Sequence, residues 1–158
     1  MLISIRPKAY VLAALLLGAP VLEPGARADD AWKKLPPGPI RDRIELMEKV
    51  GSDAKAINHA LKAGTPAEAA APADGIAALV RGVPKLFPEG SVSPDSRAKK
   101  NIWASWDEFE AFSTYLEEAA LDVAKAARDG GNVKAAARKM FKSCKSCHTK
   151  FREPEEDE

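Results

Sequence analysis

The sequence predicts an all-α protein built as an antiparallel four-helix bundle. Three observations carry that reading. Ala, Leu, Lys and Glu dominate the 158 residues and β-branched residues are sparse, a balance that favours helix over strand. Four stretches repeat their apolar residues at intervals of three and four, the spacing of one helical face. Turns rich in Gly and Pro separate them, with one longer crossover, which is the connectivity of a bundle. The length allows one domain with a real core. With 24 basic and 23 acidic residues, the near-even charge argues against nucleic acid or a membrane surface as the main partner.

The first 28 residues are a different material. Arg6 and Lys8 give a basic start, Val11 to Leu22 is apolar apart from Gly18 and Pro20, and Ala26-Arg27-Ala28 has the small-x-small form of a signal-peptidase site. The expectation is cleavage after Ala28 and export to the periplasm, leaving a bundle domain over residues 29–158. The apolar run is too short to span a bilayer, so no stable membrane insertion is expected after cleavage. Three basic residues and one acidic residue leave with the leader, turning the formal charge from +1 to −1.

Beyond Trp32 and the Pro36-Pro37-Gly38-Pro39 punctuation, the first helix runs along Ile40, Arg43, Ile44, Met47, Val50, Ala54, Ile57 and Leu61, with a mild bend at Gly51-Ser52 and a stop at Gly64. A second helix is expected over Pro66 to Arg81, with Ile76, Leu79, Val80 and Val83 buried and Pro72 able to shorten its front. Pro84, Pro88, Gly90 and Pro94 mark an extended crossover to about Asp95. The third helix is expected from about Ser96 to Arg128, its stripe of Ile102, Trp103, Trp106, Phe109, Phe112, Leu116 and Val123 forming core. Asp129-Gly130-Gly131-Asn132 ends it, and Asn132 caps the fourth helix.

That last helix carries the chemistry. Val133, Ala137, Met140, Phe141, Cys144, Cys147, His148 and Phe151 share one face, and Cys144-Lys145-Ser146-Cys147-His148 has the spacing of a covalent c-type haem site. The two thiols would add to the porphyrin vinyl groups and the adjacent imidazole would bind iron. Residues three and four apart lie together on a helix, so all three groups point the same way. Three plainer readings compete. A disulfide across one turn would constrain little. A redox dithiol should sit beside a βαβ pattern, and no strand-like alternation appears. Zinc would need His59 as a distant fourth ligand, without a ligand-type neighbour.

The mature chain resembles the class II c-type cytochromes, the cytochrome c′ family and its low-spin relatives. The resemblance rests on Cys144-Lys145-Ser146-Cys147-His148-Thr149-Lys150-Phe151-Arg152, on Leu86-Phe87-Pro88-Glu89-Gly90-Ser91 followed by Ser96-Arg97-Ala98-Lys99 and Ile102-Trp103, and on Arg43-x-x-x-Met47. It implies one covalent haem c per chain, held by thioethers at Cys144 and Cys147, with His148 as the proximal iron ligand. Arg152 would bring its charge to the proximal side and Arg43 would hydrogen-bond a haem propionate. Met47, one turn further along, would look onto the distal side of the iron. Dimerisation through the first two helices is common in the family, so a homodimer is possible.

Met47 divides two functions. If its sulfur binds iron, the haem is six-coordinate and low-spin, suited to a one-electron carrier between redox partner proteins; this reading is preferred, since no catalytic constellation is visible and no enzyme is expected. Lys139, Lys142, Lys145 and Lys150 surround the attachment site and could orient an acidic redox partner, or be only a solvated face. If Met47 merely packs over the iron, the protein is a five-coordinate binding module for nitric oxide or carbon monoxide, with Ile44 and third-helix aromatics in its wall. Met140 shares the haem helix and cannot reach the opposite side, and His59 lies about 18 Å beyond Met47 along a helix, a surface or boundary residue. The run Glu153 to Glu158 reads as a solubilising tail.

Overall fold

A computed structural model describes residues 32–154. The expected leader and the residues beyond Pro154 lie outside the described residues. Helix α1 spans Pro39–Ala63, with Pro39 in its first turn, where a missing N–H costs nothing. It runs unbroken through Gly51 and Ser52 and closes at Gly64, whose φ of 76° suits glycine and whose N–H returns to Ala60 C=O. The next segment is a 3₁₀ turn over Pro66–Ala69 followed by α2 over Ala70–Val80. The expected second helix is thus split at its front. Pro72 sits in the first turn of α2, where its missing N–H costs no intrahelical hydrogen bond.

A second 3₁₀ turn, Pro84–Leu86, opens the crossover, which continues to Lys100. The expected start of the third helix at Ser96 is corrected here: α3 is one turn, Asn101–Ala104, and α4 follows over Trp106–Arg128 after a break at Ser105 (φ −131°, ψ 44°). The cause is tertiary. Residues 97 to 99 commit their backbone to the far end of the chain, with Lys99 N–H donating to Phe151 C=O at 2.9 Å and Glu153 N–H to Arg97 C=O at 2.7 Å. Backbone groups used that way cannot begin a helix. Helix α5 spans Val133–Phe151, capped by Asn132, whose side-chain oxygen accepts from Ala135 N–H at 3.0 Å.

The four long helices form the bundle. Helix α4 packs along both α2 and α5, and α1 packs on α2, whereas α1 and α5 touch at few points. Ile57, Ile76, Val80, Ile102, Val123 and Met140 are fully buried between them. Leu79 is only partly buried. An aromatic cluster fills the crossover end: Phe109 meets Phe87 at 4.8 Å and Phe151 at 5.4 Å between centroids, both edge to face. Trp103, expected in the core, is half-buried instead, and its indole N–H donates to Phe87 C=O at 3.1 Å, which ties α3 to the crossover. Among the described residues no helix is long and apolar enough to cross a membrane.

Candidate functional site

Nothing interrupts α5 between its cap and Phe151, so the three-four spacing of its sequence becomes real geometry. Val133, Ala137, Met140 and Phe151 on its inward face are buried. Between them Phe141, Cys144, Cys147 and His148 are only half-buried. On α1, Ile44 and Met47 are half-buried too, and Met47 packs against the hydrophobic core. Where α1 and α5 stand apart, apolar side chains therefore keep surface that a flat hydrophobic cofactor would cover.

The donor chemistry fits that cofactor and disfavours the plainer readings. Both cysteines are free thiols, not a disulfide. Burial raises the Cys144 thiol above its usual range. Burial and the neighbouring Cys144 push Cys147 up to about 11. Redox-active dithiols need a lowered thiol pKa, so the environment is the opposite of theirs. No group of three or more His, Cys, Asp or Glu placed to hold a metal ion occurs among the described residues, and His59 is exposed on α1, as expected. Burial, then the nearby Arg97 charge, lowers the His148 pKa and favours the neutral imidazole, the form that ligates iron.

Arg43 is enclosed by the crossover: it is 3 % exposed, the one charged residue in the core among those described. Its Nε donates to Ser96 Oγ at 3.0 Å, Nη1 to Ser91 Oγ at 2.9 Å and Leu86 C=O at 3.4 Å, and Nη2 to Ser91 C=O and Ser96 Oγ, both at 2.8 Å. Its guanidinium also lies 4.6 Å from the Phe87 ring centroid. All five N–H donors are used on the crossover, so a haem propionate would have to displace one of them. Burial lowers the Arg43 pKa from the ordinary arginine value, but a guanidinium remains charged at any physiological pH.

Arg152 is exposed, with extended backbone, and it is its N–H, donating to His148 C=O at 2.9 Å, that closes the helix beneath the motif. The charge felt by His148 is that of Arg97, which no sequence signal singled out because 51 residues separate the two. Ser91 and Ser96 were equally silent as partners of Arg43. The crossover is thus pinned twice, to α1 by Arg43 and to the end of α5 by residues 97–99.

A helical bundle with free thiols and an imidazole spaced as Cys-x-x-Cys-His along its last helix defines a class: the bundle-type c-type haem proteins. Comparison with known proteins narrows this. The family model described as Cytochrome C′ matches residues 38–152. The chain is 34% identical over 119 residues to a cytochrome c′ of Pararhodospirillum photometricum, covering 72% of this chain and 95% of that one. In structure it resembles the cytochrome c′ of Shewanella frigidimarina, with a TM-score of 0.67, 27% identity and coverage of 73% and 94%. It also resembles a cytochrome c′ with an unusual ligand-controlled dimer dissociation, with a TM-score of 0.68, 26% identity and coverage of 76% and 100%. The chain belongs to the cytochrome c′ family, and its cofactor is covalently bound haem c.

Proposed function

We propose that the protein is a five-coordinate haem module that captures small neutral diatomic gases, nitric oxide or carbon monoxide. Cys144 and Cys147 would form the thioether attachments and His148 would be the proximal ligand. Haem c, when bound there, supplies an iron able to take a diatomic ligand opposite an imidazole. The chain's own residues set the selectivity. The observation that carries the reading is the state of Arg43: the polar group on the α1 turn before Met47 is turned into the crossover and fully used there. Ile44 and Met47 then make an apolar wall, which admits neutral gases and disfavours anions.

The sequence-based preference for a one-electron carrier with Met47 as sixth ligand is less well supported. Met47 packs into the core cluster as a wall residue does, in a family whose members are often five-coordinate. Peroxidase chemistry has no support either, because the one other histidine, His59, is exposed and Arg43 has no donor to spare. We also propose a periplasmic location, on the strength of the N-terminal leader. The relative with ligand-controlled dimer dissociation suggests a homodimer here as well. On α2 the outward positions are mostly small and apolar, Ala71 and Ala78 exposed and Leu79 half-buried, with Asp74 the one charged residue, which suits a close helix contact. Titrating the reduced, haem-loaded protein with carbon monoxide tests the function. A saturable spectral change is expected, and an unchanged spectrum at saturating gas would overturn it.

A further inference from the structure

The four lysines that the sequence groups around the motif do not act alike in three dimensions. Lys139 is paired with Asp122 at 3.5 Å and Lys150 with Glu108, both across the seam with α4. Among the described residues Lys142 and Lys145 have no such partner. They fall in line with Lys134 and Arg138, since positions 134, 138, 142 and 145 follow one another at steps of four, four and three residues. All four are exposed. Helix α5 carries six basic residues and no acidic one, so nothing within the helix neutralises this line. At its C-terminal end Lys99 extends it, donating from Nζ to Thr149 C=O at 3.3 Å.

A second feature borders the same face. Glu108 and Asp122, the α4 partners in the two ion pairs, are 14 residues apart, and Tyr115 stands midway at heptad spacing along that edge. Tyr115 is 59 % exposed. An exposed tyrosine on the α4 edge that pairs with this basic helix suits a protein interface, where Tyr is enriched. The line from Lys134 to Thr149 is about 22 Å long, a fitting length for a small, transient contact. Cys144 and Cys147 lie on the opposite side of this one helix, so a partner seated here would be about 10 Å, one helix thickness, from the attachment points.

We propose that Lys134, Arg138, Lys142, Lys145 and Lys99, with Tyr115 at the edge, form a docking surface for a partner protein that presents a carboxylate-rich patch. Such a partner would meet the haem helix through long cations, exposed at Lys134, Arg138, Lys142 and Lys145 and half-buried at Lys99, that steer the encounter and lose their attraction as salt is added. The proposal rests on haem being held by Cys144 and Cys147, and not on which ligand occupies its distal side.

Protein-film voltammetry of the haem-loaded protein on a carboxylate-terminated monolayer tests it, with low ionic strength of about 0.01 M to keep charge interactions long-ranged. The wild type is compared with a stripe variant carrying K134Q, R138Q, K142Q and K145Q, and with a control of equal net charge carrying K34Q, K55Q, K62Q and K85Q. Expected is an adsorbed wave for wild type and control and its loss in the stripe variant. Equal loss in both variants would overturn the proposal by showing that net charge alone governs adsorption, and retention in both would overturn it by showing that these cations are not needed. Loss of haem from the wild type on denaturation, read on a haem-stained gel, would remove attachment at Cys144 and Cys147, and the proposal with it. Co-sedimentation with phosphatidylglycerol vesicles and binding to polyglutamate complete the test. Stripe-dependent vesicle binding without polyglutamate binding would overturn a protein partner in favour of a membrane.

Discussion

Replacing Arg43 by Met separates the clamp from every other role the residue could have. The side-chain volume is roughly kept, so no large cavity forms, while all five hydrogen bonds to Leu86, Ser91 and Ser96 disappear. The serine hydroxyls can turn to other partners. The carbonyls of Leu86 and Ser91 cannot, and a buried acceptor left unpaired costs about 1–3 kcal/mol. Removing the guanidinium also removes its own desolvation cost, which offsets part of the loss. The net expectation is a destabilisation of about 3 kcal/mol, or a fall in Tm of roughly 12 °C for a domain of this size. Arg43→Lys keeps the charge but loses the fork, and should fall between the two. Urea unfolding of the haem-loaded protein, followed by far-UV circular dichroism, gives the values. In the Arg43→Met background, Ser96→Ala should cost less than in the wild type, because the two residues share one network. An Arg43→Met protein as stable as the wild type would refute the clamp.

The other expectations rest on separate features. Cys144→Ser or Cys147→Ser should each leave one thioether, and only the double variant should release haem on denaturation, as haem-stained gels would show. Asn132→Ala removes the α5 cap and should cost about 1 kcal/mol in urea unfolding. Phe109→Ala, which opens the cluster between Phe87 and Phe151, should cost about 3–5 kcal/mol. Burial raises the Asp53 pKa in the folded protein, so its carboxylate is disfavoured relative to the unfolded chain, and stability is lost as pH rises through the folded value. Asp53→Asn should therefore be more stable than wild type at neutral pH, with the difference vanishing below the unfolded pKa of about 3.9. A stability gap independent of pH would refute this cause.

Local signals in the sequence were reliable where the physics is local. Periodicity located all four long helices, Gly64 and Asn132 marked their ends, and the spacing of Cys144, Cys147 and His148 placed them together on α5. The misses are long-range. Residues 96–100 look compatible with a helix start, and it is the pairing of residues 97–99 with residues 151–153 that delays the helix to Asn101. The role of Arg43 depends on Ser91 and Ser96, about 50 positions away, and the charge near His148 comes from Arg97 across a similar gap. Lysine spacing alone could not separate the paired Lys139 and Lys150 from the unpaired Lys142 and Lys145, because their acidic partners lie on another helix.

The spin state of the haem decides the central claim. Optical spectra of the purified protein in both oxidation states, wild type beside Met47→Ala, measure it directly. An open distal side predicts high-spin spectra that the substitution barely changes. A low-spin wild type with a sulfur-to-iron band that disappears in Met47→Ala would contradict it and make Met47 the sixth ligand of an electron carrier.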